Sequence, residues 1–252
     1  MAAAKPAQTT TAIHLARRLR LPLADSCQSP PPFLLLLTPE RLELHQTGKN
    51  SPGPIYVDFS SAKLKHRRLH GGGRQQSLAR AVGIKGQPAL TVIDATAGLG
   101  RDAFILASLG CQVRLIERSP LIHALLADGL HRALAVPEIA AIVRARMHLI
   151  SGDAQGFLAQ FDFRGAEVIY LDPMFPKKDK SSLVKKESQV LRQLIGSDPD
   201  ADKLLTLALS KAQRRVVVKR PRLAPFLVNK SPSFSLSGKS SRFDIYLTAK
   251  PG

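Results

Sequence analysis

Apolar residues fall along this chain in two rhythms, one in short runs and one spaced three and four apart. Leu90 to Asp94, Met147 to Ile150, Glu167 to Asp172 and Arg214 to Lys219 are brief apolar runs, and Cys111 to Glu117 alternates. Each predicts a strand. Asp102 to Leu109, Pro120 to Ala135, Leu183 to Ile195 and Ala201 to Ala212 read as helices between or after them, with Gly110 placed to end the first. Phe234 to Leu236 and Phe243 to Thr248 add a last pair of strands. Strands separated by helices predict an α/β fold, a mostly parallel Rossmann-like sheet with helices on both faces. In such sheets ligands bind beyond the carboxyl ends of the strands.

The first part of the chain reads differently. Thr10 to Leu21 fits a short basic amphipathic helix, Pro30, Pro31 and Pro32 break it off, and Phe33 to Leu37 with Arg41 to Leu44 reads as two strands around a turn. Gly48 to Pro54 is loop by composition. The expected division is a small N-terminal α+β subdomain over residues 1–58, without chemistry of its own, and a larger domain over 59–252.

Composition sharpens the picture through its sign. Lys and Arg number 37 against 19 Asp and Glu in 252 residues, a formal charge of +18, with a pI near 10.5. Such a bias points to polyanionic partners, nucleic acid before membrane. From Phe59 to Ile93 there is no acidic residue, while Lys63, Lys65, Arg67, Arg68 and Arg74 all lie there. A second cluster holds Lys177, Lys178, Lys185 and Lys186, and a third runs from Arg214 to Arg222 through Lys219. One cluster alone reads as a solvated face; three, with two flanking the strand ends, read as an RNA-binding surface. Aromatic residues are only 5% of the chain, so phosphate contacts and shape would carry affinity. The run Phe33 to Leu37 is far short of the roughly 20 residues a spanning helix needs, and no signal peptide precedes it. A cytoplasmic protein is expected. Cys27 and Cys111 by themselves make neither a disulfide framework nor a zinc site, and no metal is expected.

The run Asp94-Ala-Thr-Ala-Gly-Leu-Gly-Arg-Asp102 lies between a strand and a helix. Gly98 and Gly100 let the backbone turn tightly and approach a ligand, and Glu117 at the end of the next strand suits a ribose diol. A nicotinamide dinucleotide and S-adenosylmethionine both fit. Asp102 separates them, since a carboxylate at the helix start opposes a pyrophosphate but suits a sulfonium or an amino group. Asp94 adds a second acid at the same strand end. The rival reading is a tight turn that binds nothing.

Tyr170-Leu-Asp172-Pro173-Met174-Phe175-Pro176 follows the fourth strand. An exocyclic amine donates hydrogen bonds to Asp172 and the main-chain oxygen after it, Pro173 fixes the turn, and Phe175 stacks on the base. Alone, Asp-Pro is a common turn starter; after the glycine turn it reads as a base grip. His66 and His70 have the i, i+4 spacing of a zinc helix but no glutamate between them and no third ligand. Cys111 reads as a buried small residue. Three alternatives stay open: a DNA adenine or cytosine amino-methyltransferase, a nicotinamide oxidoreductase that shares only the turn, and a non-catalytic RNA-binding protein.

Taken with Val57-Asp-Phe, His66-Arg-Arg, Gly71-Gly-Gly-Arg74, Ala81-Val-Gly-Ile-Lys85, Leu183-Val-Lys-Lys-Glu187, Val217-Val-Lys-Arg-Pro221 and Arg242-Phe-Asp-Ile-Tyr246, these motifs closely resemble the RsmJ family. The resemblance covers about residues 33 to 248. It implies a class I methyltransferase that uses S-adenosylmethionine to methylate N2 of one guanosine in 16S ribosomal RNA, free or in the small subunit. No stable protein partner is implied. It places Arg101 and Asp102 at the cofactor, Glu117 on the ribose, Arg118 beside the adenosine, and Asp153 and Ala154 at the adenine. Asp172 then borders both the methionine end and the target amine. Met174 stands where many amino-methyltransferases carry proline.

Overall fold

The computed structural model describes residues 1–3, 9–24, 31–49, 51–84, 90–160, 166–174 and 186–248. Five parallel strands form the body of a seven-stranded sheet: β4 (Thr91–Asp94), β5 (Gln112–Glu117), β6 (Met147–Ser151), β7 (Val168–Leu171) and β8 (Arg215–Pro221). The remaining two, β9 (Phe234–Ser237) and β10 (Ser241–Leu247), are a hairpin whose second strand lies antiparallel against β8. The order is β6-β5-β4-β7-β8-β10-β9. The chain therefore winds outward from β4 to β6 and returns to β7, which pairs with the other side of β4. The strand order reverses between β4 and β7, and in sheets of this kind ligands bind beyond the carboxyl ends of the strands at such a reversal.

Side chains alternate across a strand, and here the alternation sorts two cores. Val92, Val113, Leu115, Val168, Tyr170 and Val217 join one apolar cluster. Ile93, Ile116, Ile169, Leu171, Val216 and Val218 join the other, each of them next in sequence to one of the first set. Helices cover both faces, so the central strands read as continuous apolar runs. On the first face lie α4 (Arg101–Ser108), α5 (Pro120–Ala133) and α6 (Pro137–Arg146), contributing Phe104, Leu125, Ile139 and Val143. On the second lie α7 (Ala154–Gln160) and α9 (Ala201–Lys211), contributing Leu158, Leu204 and Leu205. An eighth helix, α8 (Lys186–Ile195), precedes α9 and packs Val190 and Leu191 into the first cluster.

The helix expected over Pro120 to Ala135 forms as α5, and a further helix, α6, follows it outside the expected range. α5 ends at Ala133, and Pro137, which preorganises a first helical turn but cannot continue one, starts α6. The acid-free basic stretch also folds into helices, α2 (Ala62–His70) and α3 (Ser77–Val82). Only Leu64 of α2 is buried, so no apolar period announces that helix.

At the N-terminus, β1 (Ala2–Ala3), β2 (Phe33–Leu37) and β3 (Leu42–Gln46) form a small second sheet beside α1 (Thr9–Leu19). Its Leu35 and Leu44 join Ile55, Val57 and Phe59 in the same cluster as Phe104 and Leu126. Gly129 of α5 allows this contact, since a Cβ there would collide with Val57. Among the described residues no helix is long and apolar enough to cross a membrane.

Candidate functional site

Asp94 and Asp172 sit where the strand order reverses, one just inside the end of β4 and one just past β7. Short bonds lace the two ends together. Ala95 N donates to Tyr170 O at 3.0 Å, and Asp172 N donates to Thr96 Oγ1 at 2.6 Å. Asp94 is 2% exposed and accepts the N–H of Thr96 at 3.2 Å. Burial pushes its carboxyl up to about 8; that N–H opposes the rise, and Asp102 and Asp172 add to it. Near neutral pH Asp94 is therefore largely the neutral acid.

The glycine turn leads from β4 into α4. Gly98 and Gly100 have φ of +53° and +70°, which L side chains rarely adopt. A Cβ on Gly100 would lie 2.7 Å from Leu126 Cδ1, so this glycine also lets the turn seat on α5. A Cβ on Gly98 would meet nothing nearer than Thr96 O at 3.9 Å, which leaves room for a ligand to approach the backbone. Glu117, at the end of β5, orders the turn from below. Its Oε2 accepts the N–H of Gly98 at 2.9 Å and its Oε1 that of Ser119 at 2.7 Å. Each oxygen keeps a lone pair for a ligand hydroxyl. Burial raises the Glu117 carboxyl above its ordinary value, against both N–H groups.

Asp102 is the most connected acid of the site. Its Oδ1 accepts from Arg67 Nη1 at 2.7 Å, and its Oδ2 from Tyr170 OH and Lys219 Nζ, both at 2.8 Å. Burial opposes its ionisation, but Lys219 and Arg67, with the positive end of α4, hold it well below the usual carboxylate range. Lys219 reaches on to Asp172 Oδ2 at 2.7 Å. One ammonium thus bridges an acid of the glycine turn and the acid after β7. Burial disfavours that charge, yet Asp172 and Asp102 keep the ammonium above its ordinary value.

A third group closes the side of the site beyond β7. Asp198 Oδ2 accepts the N–H of Met174 at 2.6 Å, and Asp198 N donates to Met174 O at 2.8 Å. This reciprocal pair clamps the backbone just after Asp172 and Pro173. Arg118 binds Asp198 and also Asp200, at 3.0 Å, and Gln155 Nε2 donates to Asp200 Oδ2 at 2.6 Å. Asp153 Oδ2 accepts the N–H of Gly156 at 3.0 Å, beside Ala154 at the start of α7. Arg101 forms a two-pronged pair with Glu187 of α8, at 2.7 and 2.6 Å.

The parallel strands thus bring together, at one end of the sheet, Asp94, Gly98, Gly100, Arg101, Asp102, Glu117, Arg118, Asp153, Ala154, Asp172 and Pro173. Among the basic residues, Lys63, Lys65 and Arg74 are exposed, and Arg68 is half-buried. Arg67 is committed to Asp102. Phe175, Lys177, Lys178 and Lys185 lie outside the described residues, as does the side chain of Lys186. Reading by sequence missed Thr96, Tyr170, Lys219, Asp198 and Asp200 as members of this cluster. The first three lie inside the quoted motifs, and Asp198-Pro-Asp200 marks the turn before α9. Cys111 is buried and its thiol is pushed up to about 11 by that burial, which suits a packing residue. The rings of His66 and His70 lie 5.2 Å apart on α2, tilted by 48° to each other. Among the described residues, no group of three or more metal-ligating side chains forms.

A family model described as "Putative SAM-dependent methyltransferase" matches residues 14–248. The chain is similar to two proteins named ribosomal RNA small subunit methyltransferase J. That of Coxiella burnetii (strain RSA 331 / Henzerling II) is 52% identical over 246 residues, covering 96% of this chain and 94% of the relative. That of Dechloromonas aromatica (strain RCB) is 52% identical over 241 residues, covering 96% of each chain. Among solved structures, a SAM-dependent methyltransferase from Neisseria gonorrhoeae superposes with a TM-score of 0.74 at 35% identity, over 100% of this chain and 97% of that one.

Proposed function

The chain belongs to the SAM-dependent methyltransferase family that includes the ribosomal RNA small subunit methyltransferases J, and on that premise we propose that it methylates the N2 amine of a guanosine in 16S ribosomal RNA, in the cytoplasm. The nicotinamide reading falls with that membership. The observation that carries the proposal is the link from Asp172 N to Thr96 Oγ1. It ties the acid suited to an exocyclic amine directly to the turn suited to the cofactor.

S-adenosylmethionine fits the residues present. Glu117, pinned by two backbone N–H groups, offers its remaining lone pairs to a ribose diol, and Gly98 leaves the space a ligand needs. Arg118, Asp153 and Ala154 would flank the adenosine, with Asp94, Gly100, Arg101 and Asp102 around the turn. When bound, the cofactor supplies an electrophilic methyl group on a sulfonium.

The residues of the chain prepare the nucleophile. The lone pair of a guanine N2 amine is delocalised into the ring. Hydrogen bonds from the amine to Asp172 and to the main-chain oxygen after it favour a pyramidal nitrogen, whose lone pair is then directed outward. The Asp198–Met174 clamp holds that segment, so the acceptors converge before RNA arrives. Holding two reactants in line is worth about 7–11 kcal/mol for an ideal alignment. Lys63, Lys65, Arg68 and Arg74 would meet the RNA backbone, with residues 1–58 as a subdomain beside the 59–252 domain.

The test is transfer of labelled methyl groups to undermethylated small subunits and to free 16S RNA, followed by nucleoside analysis. N2-methylguanosine is the expected product. Label in adenosine or cytidine alone, or in DNA in preference to RNA, would overturn the assignment.

A further inference from the structure

Lys219 is placed by alternation along β8. Val216 and Val218 face the core under α7 and α9, while Val217 faces the other way, toward Tyr170. Lys219 follows Val217 on that side, at the end of β8 where the core gives way to the site. Its ammonium lies 2.8 Å from Asp102 Oδ2 and 2.7 Å from Asp172 Oδ2. We propose that Lys219 is a positioning residue that holds Asp172 as a charged acceptor, engaging one carboxylate oxygen and leaving the other to the target amine. The inference rests on the guanosine-N2 reading for the identity of that amine.

The charge count at the site decides which acid depends on Lys219. Asp94 faces the cluster from β4, Asp102 from α4 and Arg67 from α2. Tyr170 and Asp172 face it from β7, Lys219 from β8, and Asp198 from the segment before α9. Asp94 is mostly neutral at pH 7, so the close carboxylates are Asp102 and Asp172, matched by Arg67 and Lys219. Without Lys219, Asp102 keeps Arg67 and the tyrosine hydroxyl. Asp172 keeps no cation among these groups and is the acid that takes up a proton. The surrounding protein already raises Asp172 above the ordinary aspartate value, Lys219 opposes the rise, and Asp102 and Asp198 add to it. A protonated Asp172 loses much of its power to draw electron density from the amine, since hydrogen bonds to a charged acceptor are about twice as strong.

Single-turnover methyl transfer to undermethylated small subunits, followed across pH, tests this. Lys219→Met and Lys219→Gln are each expected to slow transfer roughly 10- to 150-fold at neutral pH, the value of a hydrogen bond to a charged group. The deficit should shrink as pH rises, because the acid limb of the profile moves upward. Lys219→Arg keeps the charge and should restore most of the rate. Adding Lys219→Met to Asp172→Asn should cost nothing further, since the residue acts through Asp172. A charge-neutral variant with an unmoved pH profile would overturn the proposal, and so would a loss that simply adds to that of Asp172→Asn. Carboxyl-carbon NMR of Asp172 in the RNA-free protein reads the same shift without turnover. A wild type that makes no N2-methylguanosine would refute the functional reading, and the titration would still decide the role of Lys219.

Discussion

Glu117 Oε2 accepts the N–H of Gly98 at 2.9 Å, so the acid that ends β5 also shapes the turn that ends β4. The side chain we propose for the ribose would therefore be held by the same loop we propose for the cofactor. Glu117→Ala removes both functions. Cofactor affinity should fall by roughly 1.5–3 kcal/mol, the range for bonds to a charged acceptor. Calorimetry with S-adenosylmethionine on the folded variant measures it, and an unchanged affinity would take Glu117 out of the site.

Asp172 is expected to act in the chemical step more than in RNA binding. Asp172→Asn keeps an acceptor and the shape; Asp172→Ala keeps neither. Transfer should slow with both, and far more with alanine, while RNA affinity changes little. Equal, near-wild-type single-turnover rates for the two variants would remove the amine-activation mechanism.

Asp94 makes stability depend on pH in a defined direction. Its carboxyl titrates near 8 when folded, against 3.8 as a free aspartate. The folded state therefore holds a proton that the unfolded state has released. The stability tied to that proton is complete below about pH 3.8 and is lost as pH rises through about 8. Asp94→Asn should thus gain on the wild type with rising pH across that window, by at most about 1.4 kcal/mol per pH unit. Urea unfolding of both proteins at pH 5 and pH 8 checks the sign, and a difference that does not change with pH contradicts it.

The basic helix α2 should divide into two kinds of residue. Lys63 and Lys65 are exposed, as is Arg74 just beyond α2, and neutralising each should lower the salt slope of RNA binding by about 0.7–0.9 where it meets a phosphate. Cofactor affinity should stay the same. Arg67→Ala is expected to behave otherwise, because its guanidinium serves Asp102. Stability should fall by about 1–3 kcal/mol from the loss of a charge-assisted bond, and cofactor affinity should fall with it. Salt titrations and denaturation of the two sets side by side decide the matter; identical behaviour would contradict the division.

Much of this protein is legible along the chain because its signals are local. Short apolar runs between helical stretches announce the sheet, and Gly98 and Gly100 announce a turn that other residues cannot make. Acids at the ends of apolar runs, Asp94, Glu117 and Asp172, mark the rim because in a parallel sheet every such end points the same way. Helix α6 stayed hidden because only Ile139 and Val143 of its ten residues are buried, which leaves little apolar period along the chain. Helix α2 stayed hidden because it buries one side chain, so there was no period to read.

Partnership is what the one-dimensional pattern leaves open. Lys219 and Arg67 look like two more charges in basic clusters, and nothing local distinguishes them from Lys63 or Arg222. Strand order brings β8 beside β7 and packing brings α2 against α4, and only then do both cations meet Asp102, a residue far from each in sequence. The sequence by itself determined which groups are present: a glycine turn, acids at the ends of three strands and a surplus of positive charge. The tertiary structure decided which charges stay in solvent and which face each other, because Coulomb energy depends on separation and solvent exposure, and folding sets both.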